Sequence, residues 1–187
     1  MSTPTPGPTP APMTGRKVDR DGESLLVIER RFRAPIDDVW AACTDPERMQ
    51  RWIGTWSGDP ASGSISFRMT AEGEDVEAEE MDVLACEPPR RFAVRGREPQ
   101  PFSADGSGAT AYWQMELELA EADGVTSLSF VQVLAAGDLG REMVASVGPG
   151  WDYYLDRLVA DLAGEDVASV EWAAYEGGSD HYRSTFA

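Results

Sequence analysis

Histidine occurs once in the 187 residues, at His181, and cysteine twice, at Cys43 and Cys86. One histidine in the C-terminal stretch leaves no Ser-His-Asp or Cys-His arrangement within the patterned part of the chain. Metal sites built from clustered histidine and cysteine lack ligands, because no two of these residues are close in sequence. No catalytic residue is therefore assigned, and neither a metal nor a cofactor is expected. Two cysteines do not make a disulfide framework for a chain this size, and both, set among apolar neighbours, are expected in the core. Basic residues are also scarce: 16 Lys and Arg stand against 33 Asp and Glu, a net charge of −17. Such a surface repels phosphate backbones and anionic lipid, so neither nucleic acid nor membrane is an expected partner. No run approaches the ~20 apolar residues of a membrane helix and the N-terminus lacks an apolar signal core, which makes a cytoplasmic protein the expectation. Glycine-rich phosphate loops are missing too. Gly148-Pro149-Gly150 has no lysine, and no glycine opens a βαβ unit.

What is present is periodic. Residues 1–20 begin with the Pro/Thr-rich run MSTPTPGPTPAPMTGRK and read as a disordered leader. Ser24–Arg33 reads as the first strand, and Ala34-Pro35 ends it. Ile36, Val39, Trp40 and Cys43 then recur at helical spacing, with Asp37 and Asp38 in the first turn. Asp45-Pro46 starts a second short helix carrying Met49, Trp52 and Ile53. From residue 57 the period becomes two. Ile65, Phe67 and Met69 alternate with polar residues, Glu77–Glu87 follows, then Phe92 and Val94, and a loop over 99–108. Trp113, Met115, Leu117 and Leu119 alternate with Gln114, Glu116 and Glu118; after the Asp123-Gly124 turn, Leu128, Phe130, Gln132 and Leu134 share one face. The final element is the helical stripe Trp151, Tyr154, Leu155, Leu158, Val159 and Leu162, stopped by Gly164. Asp152, Arg157 and Asp161 fall on its other side, where water is expected. Asp138–Val147 also has helical character, so a kinked, nearly continuous helix through Pro149 is expected. The tail over 165–187 carries Trp172, Tyr175, Tyr182 and Phe186 and is expected to pack back on the body, with Gly177-Gly178 as a flexible point. The order β-αα-βββββ-α is an α+β meander with one face for the long helix to cover.

Particular motifs carry a resemblance. Val27-Ile28-Glu29-Arg30, Ala34-Pro35-Ile36-Asp37-Asp38-Val39-Trp40, Thr44-Asp45-Pro46-Glu47 and Trp52 resemble the opening of the START-like, or SRPBCC, superfamily. Glu87-Pro88-Pro89-Arg90-Arg91-Phe92 and Gly150-Trp151-Asp152-Tyr153-Tyr154-Leu155-Asp156-Arg157-Leu158 resemble its branch named after the activator of the heat-shock-protein-90 ATPase. The resemblance covers residues 24–164, within a domain bounded at 21–164. It implies a helix-grip fold of the kind seen in the birch-pollen allergen, a curved antiparallel sheet wrapped around a long C-terminal helix. Two short helices follow the first strand and close one end, and a cavity lies between sheet and helix.

The expected lining of that cavity is Trp40, Trp52, Trp56, Phe67, Met69, Trp113, Met115, Phe130, Gln132, Tyr154 and Leu158. Pockets of this kind are mostly apolar, with few polar groups and a volume above roughly 300 Å³. Gln132 has inward parity, so its buried amide needs partners, with Tyr153, Tyr154, Arg95, a ligand or water as candidates. Glu80 and Asp82 share a face with Leu84 and Cys86 and are expected to be solvated strand ends. The leading functional expectation is a protein that binds a hydrophobic small molecule: lipid-, polyketide- or aromatic-metabolite-like. A polyketide cyclase or aromatase using Gln132, Tyr154 or Arg95 is one alternative, and a chaperone-regulating interaction protein another. A homodimer stays open, because the aromatic tail can pack on its own chain or on a neighbouring subunit.

Overall fold

The computed structural model describes residues 9–73, 75–101 and 110–187. A strand at Arg16–Arg20 (β1) turns through Asp21-Gly22, both at positive φ, and pairs antiparallel with Glu23–Phe32 (β2). β1 lies inside the stretch expected to be leader, so that boundary moves toward the N-terminus. The reason is the sequence of β2, where Leu25, Leu26, Val27 and Ile28 are all buried and both faces therefore need cover. Leu26 and Ile28 join the main core, while Leu25 and Val27 form a second cluster with Val131 against which Val18 of β1 packs.

Two short helices follow, Ile36–Thr44 (α1) and Pro46–Met49 (α2), as the spacing predicts. Asp45 caps α2, its carboxylate accepting from the backbone N–H groups of Glu47 and Arg48 at 2.9 and 3.1 Å. Trp52 Nε1 donates to Ala42 O at 2.9 Å and ties the two helices together. The chain then runs through Thr55–Asp59 (β3), Ser64–Arg68 (β4), Glu79–Glu87 (β5) and Arg91–Gly96 (β6). A two-residue ladder pairs Gln100–Pro101 (β7) with Thr110–Ala111 (β8), and the long hairpin Gln114–Ala122 (β9) and Val125–Val133 (β10) completes the sheet elements. The main sheet is fully antiparallel in the order β1-β2-β10-β9-β6-β5-β4-β3. Most of the loop expected over 99–108 lies outside the described residues.

β5 turns the other face inward from the one its Leu84 and Cys86 favoured. Met81 is buried opposite Ile65 of β4, whereas Leu84 is 52% exposed and Cys86 is exposed. Both parities of this strand carry apolar residues, and the neighbouring strand decides between them. A register shift between Val83 and Ala85 follows. Glu80 and Asp82 face solvent and pair with Arg97, while Glu79 turns inward instead.

One helix of 26 residues, Asp138–Ala163 (α3), contains Pro149 and ends at Gly164 in the left-handed conformation. It buries Met143, Val144, Trp151, Tyr154, Leu155 and Leu158 against the sheet. The opposite side is not left to water. Asp152 is fully buried and accepts from Thr14 N at 3.0 Å, Arg30 Nη2 at 2.9 Å, and the hydroxyls of Thr14 and Tyr182. Asp156 accepts from Arg30 Nε at 2.8 Å and the Tyr175 hydroxyl at 2.6 Å. These bonds draw the segment before β1 and the C-terminal tail onto α3. The tail ends in a short helix, Ser179–Thr185 (α4), with Tyr175, Tyr182 and Phe186 buried. Gly148 allows this approach, since a Cβ there would come within 2.6 Å of the Tyr182 ring. Gly178, expected to be a flexible point, is buried in a 3-10 turn, where a Cβ would collide with Met13 and Pro149.

Candidate functional site

Between sheet and α3 lies an inner cavity of about 90 Å³, well below the size expected. Its walls are almost wholly apolar: Trp52 and Ile53 from the turn after α2, Trp56 from β3, Ile65 and Phe67 from β4, Met81, Phe92 and Val94, Met115 and Leu117, and Phe130, Trp151 and Leu155. The aromatics that fill this end of the grip are the same ones that shrink it. Cys43 borders it too, and burial pushes its thiol up to about 12, which keeps it protonated.

A larger space opens at the mouth of the sheet. This cleft, about 520 Å³, lies between the segment after β4 (Met69, Ala71, Glu72), Trp113 ahead of β9, the α3 residues Val147, Gly150, Trp151, Tyr153 and Tyr154, and Trp172 from the tail. Trp151 borders both spaces and forms the wall between them. Its indole is held on several sides: Phe130 at 4.3 Å between ring centroids, Trp113 at 6.0 Å, Tyr154 at 6.4 Å, and an Nε1–H bond to Gln132 Oε1 at 2.6 Å. The Tyr154 hydroxyl meets Glu72 Oε1 at 3.2 Å across the cleft. Burial, and then the Glu72 carboxylate, hold that phenol above its ordinary range, so it stays protonated and donates. The arrangement offers broad apolar ring surface, the hydroxyl-bearing residues Ser146, Tyr153 and Tyr154, and one carboxylate.

The residues expected at a cavity divide three ways. Trp52, Trp56, Phe67, Met115 and Phe130 line the inner cavity, and Met69, Trp113 and Tyr154 line the cleft. Trp40, Gln132 and Leu158 border neither. Trp40 sets its ring edge-to-face with Phe92, Leu158 is fully buried in the core, and Gln132 is sealed behind Trp151. The partners foreseen for Gln132 are engaged elsewhere: Tyr153 accepts from Arg157 at 3.1 Å, and Arg95 stacks over Tyr112 at 4.2 Å. Gln132 Nε2 is left buried without a hydrogen-bond partner. Trp151, Tyr153, Glu72 and Trp172 are site-lining residues that the pattern did not single out as such. Trp151 was visible in the helical stripe, whereas Glu72 and Trp172 sit in 3-10 turns with no periodic signal. Among the described residues no helix is long and apolar enough to cross a membrane, and no cluster of His, Cys, Asp or Glu is arranged to hold a metal ion.

With this geometry in place, the chain can be set beside known proteins. A family model described as activator of Hsp90 ATPase homolog 1-like protein matches residues 33–163. The crystal structure of CalU16 from Micromonospora echinospora is 26% identical, with a TM-score of 0.66 over 92% of this chain and 95% of that one. A solution structure of the protein encoded by BPP1335 from Bordetella parapertussis is 23% identical, with a TM-score of 0.60 over 92% of this chain and 95% of that one. DynU16, a protein of the dynemicin biosynthetic locus, is 23% identical, with a TM-score of 0.53 over 76% of this chain and 49% of that one. No curated protein matches. The last two likenesses concern the fold alone. Trp172 and the rest of the tail lie outside the matched segment.

Proposed function

The chain belongs to the activator of Hsp90 ATPase homolog 1-like family, of the START-like superfamily, and on that premise we propose that it binds a hydrophobic small molecule, lipid-, polyketide- or aromatic-metabolite-like, in the cleft at the mouth of the grip. One observation carries this reading. The cleft of about 520 Å³ is walled mainly by aromatic rings and carries few polar side chains, Ser146, Tyr153 and the hydrogen-bonded Tyr154–Glu72 pair, the composition by which small-molecule sites fix a ligand's orientation. The inner cavity of about 90 Å³ accommodates no such ligand while Trp151 holds its place, so the cleft is the binding space.

The test is a thermal-shift panel of palmitate, an anthraquinone and quinoline, repeated on Trp172→Ala. A probe at a hundred times its Kd adds about 2.7 kcal/mol, a rise of roughly 5–10 °C for a chain of this length. Trp172→Ala should weaken the responding probe about threefold to tenfold. No shift with any probe, or a shift indifferent to Trp172, counts against the reading.

A cyclase- or aromatase-type enzyme is a second reading, favoured by the Tyr154 phenol, which stays protonated and sits in the cleft beside a carboxylate. Such a phenol would turn its one O–H from Glu72 to a ligand carbonyl while the rings hold the rest of the chain in a folded shape. Tyr154→Phe should then abolish conversion of a poly-carbonyl substrate while leaving its binding nearly intact. Equal turnover by parent and variant removes this reading.

A further inference from the structure

We infer that the ligand of this cleft carries a positive charge: an aromatic or quaternary amine whose cationic end sits among the rings of Trp113, Trp151, Tyr154 and Trp172, beside the Glu72 carboxylate. The inference rests on the reading of the cleft as a binding site and adds the chemical class of its occupant.

The rings meet at steep angles. Trp113 and Trp151 are inclined at 80°, Trp151 and Tyr154 at 65°, Tyr153 and Tyr154 at 60°, and Tyr153 and Trp172 at 80°. Rings set corner to corner form a cage rather than a stacking slot, and several quadrupoles then act on one enclosed group. Tyr153 already serves a cation in this way, with the Arg157 guanidinium over its ring at 5.3 Å. That guanidinium lies outside the lining of the cleft and donates to Trp52 O and the Tyr153 hydroxyl, which hold it in place without neutralising it.

The charge of the lining has one sign. Glu72 is the charged side chain of the cleft, and no basic residue borders it among the described residues. Through Met69, Glu72 and Trp113 the cleft runs on into a groove of about 690 Å³ that bears Glu77, Glu79, Glu80 and Glu98. The groove's Arg97 is neutralised by Asp82 at 2.7 Å and Glu80 at 3.8 Å. Glu79 keeps Oε1 buried without a hydrogen-bond partner. A carboxylate or phosphate headgroup would meet repulsion along this whole path, whereas an ammonium would be drawn in along it.

Calorimetric titration at neutral pH with three planar bicyclic probes separates charge from shape: N-methylquinolinium, quinoline, and quinoline-2-carboxylate. The expected result is N-methylquinolinium binding about tenfold tighter than quinoline, with the carboxylate undetectable. Glu72→Gln keeps an acceptor for Tyr154 and removes only the charge. It should cost the cation about tenfold and leave quinoline within about twofold, and added salt should weaken the cation alone. Quinoline binding as tightly as the cation, or a cation indifferent to Glu72→Gln, overturns the inference while leaving the cleft a binding site. Failure of all three probes overturns both.

Discussion

Replacing Asp152 by Asn tests how the tail is held, and so how the cleft keeps its Trp172 wall. The carboxylate is fully buried, and Arg30, its ionic partner, is 10% exposed. Breaking one side of a buried ion pair costs about 3–5 kcal/mol, because the remaining charge stays desolvated. Arg30 retains Asp156 at 2.8 Å, which puts the loss at the lower end of that range, about 3 kcal/mol. Asn presents an NH₂ to a ring of donors, Thr14 N–H, Thr14 O–H, Tyr182 O–H and Arg30, so one of them loses its acceptor for about 1 kcal/mol more. A total near 4 kcal/mol lowers the melting temperature by about 10 °C in a chain of this length. Urea unfolding followed by tryptophan fluorescence gives the stability, and limited proteolysis reports whether the C-terminal segment is cut first. Asp156→Asn is the internal comparison. Asp156 is 32% exposed, so its loss should cost only about 1 kcal/mol. If Asp152→Asn lies within about 1 kcal/mol of the parent, or no worse than Asp156→Asn, the buried network does not anchor the tail and the reasoning fails.

Three further outcomes follow from single groups. Gln132→Leu strands Trp151 Nε1 but removes the orphaned Nε2, so the two desolvation terms nearly cancel and stability should move by less than about 1 kcal/mol; Trp151→Phe newly strands Gln132 Oε1, keeps the orphaned Nε2 and removes ring volume from the core, and should cost about 2 kcal/mol or more, a ranking that differential scanning fluorimetry reads directly. Ellman's reagent should titrate one thiol in the native protein, the exposed Cys86, and release the second only in denaturant, because Cys43 is buried and pushed up to about 12. Burial raises the Glu79 carboxyl above its ordinary value of 4.5, so the folded state holds that proton more tightly than the unfolded chain does. Its contribution to stability is complete below that ordinary value and is lost as pH rises through the raised one. Glu79→Gln should therefore raise the melting temperature at neutral pH and leave it unchanged near pH 4, and an equal effect at both values would contradict the assignment.

The grip itself was legible because each of its elements repeats a period long enough to be unambiguous. The stripe from Trp151 to Leu162, the Asp45-Pro46 cap and the β9–β10 alternation all appear where their spacing puts them. β5 misled because Met81 and Val83 on one face compete with Leu84 and Cys86 on the other, and only the neighbouring Ile65 breaks the tie. The helix pattern places Asp152 toward solvent because it cannot reveal that the tail folds over it; the Tyr182 hydroxyl that reaches it comes from thirty residues further along the chain. The site was legible as an aromatic inventory and not as a map. Periodicity says that Trp52, Phe130 and Trp151 point inward, but not that they nearly close the interior and leave the open space outside Trp151. Glu72 and Trp172 come from turns, where no period marks a direction.

The proposed ligand would bind outside Trp151, in the cleft, and not in the interior. The six tryptophans report on this directly. For a ¹H–¹⁵N spectrum of the indole N–H groups titrated with quinoline, Trp113 and Trp172 border the cleft and not the inner cavity, while Trp52 and Trp56 border the inner cavity and not the cleft. Binding in the cleft should move the Trp113 and Trp172 signals with a common affinity and leave those of Trp52 and Trp56 fixed. Movement of Trp52 and Trp56 with Trp172 unmoved would contradict it.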